Sequence, residues 1–214
     1  MLNFVLNLLF PPKCGFCGKI NSEYLCKKCE LKLQNLKATK EINKIQNQEF
    51  TYHVYAYYYK EAIRNKIIDY KFNDMPELSN TFVKLLLNNE KICGFLKKYD
   101  IMIPVPMHPK KQTQRGYNQA ELIAQKLAEN LRIDFANDVL FKQRQTETQS
   151  SLDKKSRQRN VKDAYNCKKE QKINGKRVIL FDDIYTTGST VKECSKVLKQ
   201  FGAKEVIVLT IAKD

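Results

Sequence analysis

Apolar residues fall into short runs whose period changes along the chain, and each change marks an element. Tyr52 to Tyr59 alternates and is rich in aromatics, which predicts a strand. Glu61 to Tyr70 then has helical spacing, and a second helix is expected over Glu77 to Asn89. Asp100 to Pro106 reads DIMIPVP, a short apolar run closed by prolines, as expected of a buried parallel strand that stops in a loop. Ala120, Ile123, Ala124, Leu127, Ala128 and Leu131 recur at helical spacing behind Asn118 and Glu121, which are placed as a capping box. Val178 to Phe181 is a second continuous apolar run. It ends in Asp182 and Asp183, and Val191, Cys194, Val197, Leu198 and Phe201 then mark a helix stopped by Gly202. Glu205 to Ala212 gives a last strand. Strands alternating with helices predict a three-layer α/β domain with a mainly parallel sheet between helices, and there is no internal repeat.

The polar stretches set the boundaries. Lys37 to Gln48 is rich in Lys and Asn and reads as an exposed helix or linker, so two units are expected, 1–45 and 50–214. Lys142 to Lys162 has almost no apolar side chain, as in a functional loop or a disordered one. The opening MLNFVLNLLFPP is too short to span a bilayer, lacks a basic n-region and precedes no small-residue cleavage site, so neither a transmembrane segment nor a signal peptide is expected. An amphipathic helix that packs on the domain, or touches a membrane surface, suits it. The expected location is cytoplasmic, with peripheral attachment to the inner membrane as the other reading.

Composition adds a charge and a metal. Lys and Arg number 38 against 23 Asp and Glu, a net charge of +15 in 214 residues. Such a field draws nucleic acid or anionic membrane, although a Lys-rich surface also follows from genome composition. Hydrophobic residues make up 43% of the chain, which excludes global disorder. Four of the seven Cys form two tight pairs, Cys14-x2-Cys17-x8-Cys26-x2-Cys29. That spacing can bring four thiolates around one Zn²⁺, and a closed four-sulfur shell would be structural rather than catalytic; redox pairs are the alternative.

In an open parallel sheet ligands sit beyond the carboxyl ends of the strands, where Asp182 and Asp183 stand. Tyr185, Thr186, Thr187, Gly188, Ser189 and Thr190 follow at once. Gly188 allows a tight loop, backbone N–H groups before the helix can ring a monophosphate, and the hydroxyls add donors. Two adjacent carboxylates directed at one ligand suit the donors of a ribose diol. Arg177 to Thr190 therefore reads as a ribose 5-phosphate site. An acidic Mg²⁺ pocket would leave the TTGST loop unexplained. Tyr55, Tyr57 and Tyr59 share one strand face, as core or as base-stacking residues, and His53 and His108 carry no catalytic assignment.

VILFDDIYTTGST resembles the phosphoribosyl pyrophosphate (PRPP) signature of type I phosphoribosyltransferases. Together with the cysteine block, PVPMHPKKQTQRGYNQAELIA and RQTETQSSLDKKSRQRNVKDAY, it makes nearly the whole chain resemble the ComF family of competence proteins. The resemblance implies a Rossmann-like type I phosphoribosyltransferase domain behind a small N-terminal zinc module of four cysteines. It further implies that Asp182 and Asp183 hold ribose hydroxyls and that Tyr185 to Thr190 belong to the PRPP loop, with Thr186 to Thr190 around the 5-phosphate. Lys110 and Arg115 are the candidate pyrophosphate contacts, with Mg²⁺ bridging the pyrophosphate. Lys71 matches the family pattern without a physical role. Arg144, Lys154, Lys155, Arg157 and Arg159 lie in a loop that could close over PRPP or grip a nucleic-acid backbone. The implied function is the handling of single-stranded DNA during DNA uptake in natural transformation, with other uptake proteins as candidate partners. The alternatives are an active transferase with a nucleobase-like acceptor and, third, a PRPP-sensing regulator.

Overall fold

The computed structural model describes residues 11–46, 49–146 and 159–214. In chain order the elements are α1 (Lys27–Lys32), β1 (Ile42–Lys44), β2 (Tyr52–Tyr58), α2 (Glu61–Phe72), α3 (Leu78–Leu87), α4 (Glu90–Leu96), β3 (Ile101–Pro104), α5 (Pro109–Arg115), α6 (Gln119–Leu131), β4 (Asp134–Phe135), β5 (Leu140–Lys142), β6 (Tyr165–Cys167), β7 (Arg177–Tyr185), α7 (Ser189–Gln200) and β8 (Glu205–Lys213). Six strands form one sheet in the order β1-β2-β8-β7-β3-β4. β1 is antiparallel to β2 and every other pairing in this sheet is parallel. β5 and β6 make a separate antiparallel ribbon.

Alternation along the strands divides the apolar side chains between two layers. Met102, Ile179, Phe181, Leu209 and Val54 pack with α2, α3 and α6, while Ile103, Val178, Leu180 and Val208 pack with α7 and the β5–β6 ribbon. The chain leaves β3 through α6 on one face and leaves the neighbouring β7 through α7 on the other. The crevice between the carboxyl ends of β3 and β7 is thus the topological switch point, where open α/β sheets bind ligands.

The cysteine module seats on α3. Cys14, Leu25, Cys29, Leu33 and Leu36 are buried in the same cluster as Leu78, Phe82, Leu85 and Leu86. A Cβ on Gly15 would lie 2.3 Å from Thr81 Oγ1 and 2.7 Å from Leu78 Cδ2, so only glycine allows this approach. Thr81 Oγ1 donates to Tyr24 O at 3.0 Å, and Lys84 pairs with Glu23 at 3.0 Å.

Several expectations are corrected. Lys37 to Gln48 is not simply an exposed helix or linker, because Ile42–Lys44 adds the edge strand β1 to the sheet. α4, β4 and the β5–β6 ribbon were not anticipated, and the loop after Pro106 contains the short helix α5. Half of the capping box forms: Asn118 Oδ1 accepts from Ala120 N–H at 3.2 Å, whereas Glu121 accepts from Asn137 Nδ2 at 2.6 Å. β7 runs on to Tyr185 and includes the acidic pair that was expected at its end. The opening apolar segment, residues 1–10, lies outside the described residues.

Candidate functional site

A cavity of about 720 Å³ opens at the switch point. Asp182, Asp183 and Tyr185 to Thr190 form one wall, and Lys71, Lys111, Arg115, Lys142 and Tyr165 come to it from α2, α5 and the β5–β6 ribbon. The cations Arg64, Lys71, Lys111, Arg115 and Lys142 outnumber the carboxylates Asp182, Asp183 and Asp214 that also line it, so the cavity suits a polyanion.

Because β7 continues past them, the pleat sends Asp182 and Asp183 to opposite faces. Asp183, only 7% exposed, pairs its Oδ1 with Lys71 Nζ at 2.8 Å. Burial works against the Lys71 charge, but the charge and hydrogen bond of Asp183, with Asp182 and Tyr59, outweigh it and raise the Lys71 pKa. Lys71, which the sequence left without a role, thus neutralises the inner carboxylate. Asp182 faces α7 and the ribbon. Burial, and then the charge of Asp183, push its carboxyl up to about 7, although Lys71, the Asp183 N–H and Lys142 act the other way. Its Oδ1 accepts from that N–H at 2.9 Å.

The loop after β7 is shaped by Gly188, which caps α7 at φ +73°, a conformation that other residues adopt only with strain. Thr187 Oγ1 and Ser189 Oγ lie 2.9 Å apart, and Ser189 N–H donates to Thr187 Oγ1 at 3.4 Å. Hydroxyls and the first N–H groups of a twelve-residue helix therefore gather at one point of the cavity wall.

Of the other sequence candidates, Arg115 lines the cavity, donates from Nη1 to Gln119 Oε1 at 2.9 Å and stacks over Phe72 at 5.2 Å. Lys110 does not line it; helical rotation turns the next residue, Lys111, inward instead. Burial, then Arg115 and Lys71, lower the Lys111 pKa. Arg144 donates from Nη2 to Asn160 O and Lys162 O, both at 2.9 Å, and so is held by the backbone just before β6. Arg159 is exposed, and Lys154, Lys155 and Arg157 lie outside the described residues. Tyr55 and Tyr57 are buried and Tyr59 reaches the cavity rim. Lys111 belongs to the loop that the sequence matched to pyrophosphate, next to the candidate chosen there, whereas Lys142 and Tyr165 carried no sequence signal, since their approach depends on non-local packing; Lys142 Nζ sits 5.3 Å over the Tyr165 ring.

The four cysteines converge as the spacing predicts. The sulfurs of Cys14, Cys17, Cys26 and Cys29 all lie within 4.8 Å of one another. A tetrahedral Zn²⁺ with bonds of about 2.3 Å sets sulfurs about 3.8 Å apart, and Cys17 and Cys26 Sγ are separated by 3.8 Å. Burial opposes a thiolate at Cys14, but hydrogen bonds from the backbone of Cys26, Cys17 and Phe16 prevail and draw its pKa down to about 6. Burial and the three neighbouring sulfurs push the Cys29 thiol up, a crowding that a cation would relieve. Gly18, at φ +72°, donates its N–H to Cys14 O at 2.8 Å and closes the first knuckle. Among the described residues no helix is long and apolar enough to cross a membrane.

Known proteins share both parts. The family model of the phosphoribosyl transferase domain matches residues 113–214, and that of the double zinc ribbon domain matches residues 5–40. The chain is 32% identical over 206 residues to Competence protein F of Haemophilus influenzae, covering 94% of this chain and 85% of that protein. It is 31% identical over 147 residues to DNA utilization protein YhgH of Escherichia coli, covering 67% of this chain and 63% of that protein. Among solved structures it is similar to a purine phosphoribosyltransferase from Pyrococcus horikoshii, with 15% identity, a TM-score of 0.40, and 64% of this chain and 82% of that one covered. A parallel sheet with its cavity at the switch point, a four-cysteine ribbon seated beside it, and identity sustained along most of Competence protein F lead to one conclusion: the chain belongs to the ComF family and has a type I phosphoribosyltransferase fold with an N-terminal zinc ribbon.

Proposed function

We propose that this is a ComF-type competence protein that binds PRPP with Mg²⁺ in the switch-point cavity, holds a structural Zn²⁺ on its four cysteines, and handles single-stranded DNA during uptake. The observation that carries the PRPP reading is the composition of one wall: two carboxylates, then a glycine-capped loop of hydroxyls and N–H groups, with cations facing them. The ribose diol would donate to the carboxylates, Thr186 to Thr190 would surround the 5-phosphate, and Lys111 and Arg115 would meet the pyrophosphate. Mg²⁺, when bound, would neutralise pyrophosphate oxygens and keep most of its waters. The DNA reading draws on the net charge of +15 and on relatives named for competence and for DNA utilization.

Incubation of the protein with PRPP, Mg²⁺ and a panel of nucleobases, followed by pyrophosphate release, tests the reading beside a titration of labelled single-stranded DNA at several salt concentrations. The expected result is PRPP affinity without base-dependent release, and DNA binding that weakens steeply with salt. Release that depends on one base would favour the active transferase instead. PRPP affinity retained in the Asp182→Asn, Asp183→Asn double variant would place the ligand elsewhere.

A further inference from the structure

We propose that His53 is a positioning residue for the phosphate loop: it fixes the side chain of Tyr185, and Tyr185 in turn fixes the backbone at Gly188. The inference rests on the phosphate reading of that loop. His53 lies on β2, two strands from β7, and is 2% exposed. Its ring stacks on Tyr185 with centroids 4.1 Å apart and planes at 29°, and on Tyr55 at 4.9 Å and 27°. The phenol of Tyr185 lies directly beneath Gly188. A Cβ built on Gly188 would meet Tyr185 Oη at 2.3 Å and Cζ at 2.5 Å. The glycine is therefore required twice, by its positive φ and by the ring under it.

The stack is held at both ends. Thr210 Oγ1 donates its proton to Ala212 O at 3.1 Å, so at its 3.0 Å contact with His53 Nε2 it accepts. His53 is thereby the Nε2–H tautomer, with its ring plane set by β8. Burial, and then the charge of Lys213, pull its pKa down to about 3, which keeps the ring neutral. The backbone of Tyr185 is fixed separately, because Asp214 N–H donates to Tyr185 O at 3.0 Å. With the backbone fixed there, the remaining freedom of Tyr185 is the rotation of its ring, and the His53 stack restrains that rotation. N–H groups that ring a phosphate act only when aligned, so a loop displaced by a fraction of an ångström loses several hydrogen bonds together.

The test uses calorimetric titration of the full chain with ribose 5-phosphate and, separately, with pyrophosphate and Mg²⁺. His53→Leu keeps volume and removes the aromatic face, His53→Phe keeps the face and removes the donor, and His53→Ala removes both. His53→Leu and His53→Ala should weaken ribose 5-phosphate about tenfold, as expected of a slightly misplaced site, and leave pyrophosphate affinity unchanged, while His53→Phe should stay close to wild type. If His53 acts through Tyr185, the Tyr185→Ala and His53→Leu/Tyr185→Ala proteins should bind ribose 5-phosphate equally, since a double change in one pathway does not add. Unchanged ribose 5-phosphate affinity in His53→Leu would overturn the inference. So would equal weakening of both ligands, which marks a folding defect, or additive losses in the double variant. Gly188→Ala separates the two levels of the argument: if it binds ribose 5-phosphate normally the loop is not the phosphate site, and if it fails while His53→Leu binds normally only the role of His53 falls.

Discussion

Asp182 makes the site costly to fold at neutral pH, and removing its charge should stabilise the protein. Burial, and then the neighbouring Asp183, raise its pKa from 3.8 to about 7. Between those values the unfolded chain has lost the proton and the native chain keeps it, so unfolding becomes easier as pH rises. The stabilisation is whole below pH 3.8 and is lost as pH passes about 7. A shift of roughly three units at about 1.4 kcal/mol each sets a ceiling near 4 kcal/mol. Asparagine keeps an acceptor for the Asp183 N–H but forgoes attraction to Lys71 and Lys142, which leaves a gain of about 1–3 kcal/mol for Asp182→Asn at pH 8. In a chain of this length that corresponds to roughly 3–9 °C in Tm. Thermal melts of ligand-free protein from pH 3.5 to pH 8.5 should show the two proteins closest at the acid end, separating as pH rises toward 7 and keeping a constant gap above it. Asp183→Asn should behave oppositely and lower Tm at pH 8, because it leaves Lys71 without its 2.8 Å partner. A gap for Asp182→Asn that does not change with pH, or a variant that melts below wild type at pH 8, would refute the reasoning.

Three further outcomes are expected. Replacing Cys14 and Cys17 by Ser should reduce bound zinc, measured by elemental analysis, from about one per chain to none and loosen the module on α3; unchanged metal content would rule out the four-cysteine site. Lys111→Ala should weaken PRPP binding at least about fivefold and Lys110→Ala by less than about twofold, since a cation that lines the site outweighs a solvated one; calorimetry that ranks them the other way would show that the pyrophosphate approaches from elsewhere. Gly15→Ala should cost about 1–3 kcal/mol in a thermal melt, because its Cβ would stand 2.3 Å from Thr81 Oγ1; an unchanged Tm would mean that the module is not held against α3.

What the sequence disclosed was what short-range physics writes into it. The β7–loop–α7 unit was readable because its apolar run, acidic pair, glycine and amphipathic helix are contiguous, and the cysteine cluster because metal geometry fixes its spacing. The rest of the cavity was not readable. Lys71, Lys142 and Tyr165 reach it from α2 and from the β5–β6 ribbon, and nothing local to those residues tells which tertiary partner they meet. β1 was hidden for a different reason: a three-residue edge strand with a mostly polar composition has no period to detect, and edge strands favour the Lys that otherwise suggests a linker.

The acidic pair shows how one misplaced strand end alters the chemistry. Placed in a loop, two neighbouring carboxylates would both turn toward one ligand and share its donors. Placed within β7, they obey the pleat, and their surroundings separate them before any ligand arrives. Asp183 is already balanced by Lys71, so a new hydroxyl donor there competes with an existing ion pair. Asp182 has one backbone N–H and more distant cations, and its burial disfavours the charge. A hydroxyl-bearing ligand therefore gains most at Asp182, where its donors stabilise a carboxylate that the empty site tends to protonate. Binding should consequently draw the Asp182 pKa down and release a proton near pH 7, a linkage that calorimetry in buffers of different ionisation enthalpy would measure directly.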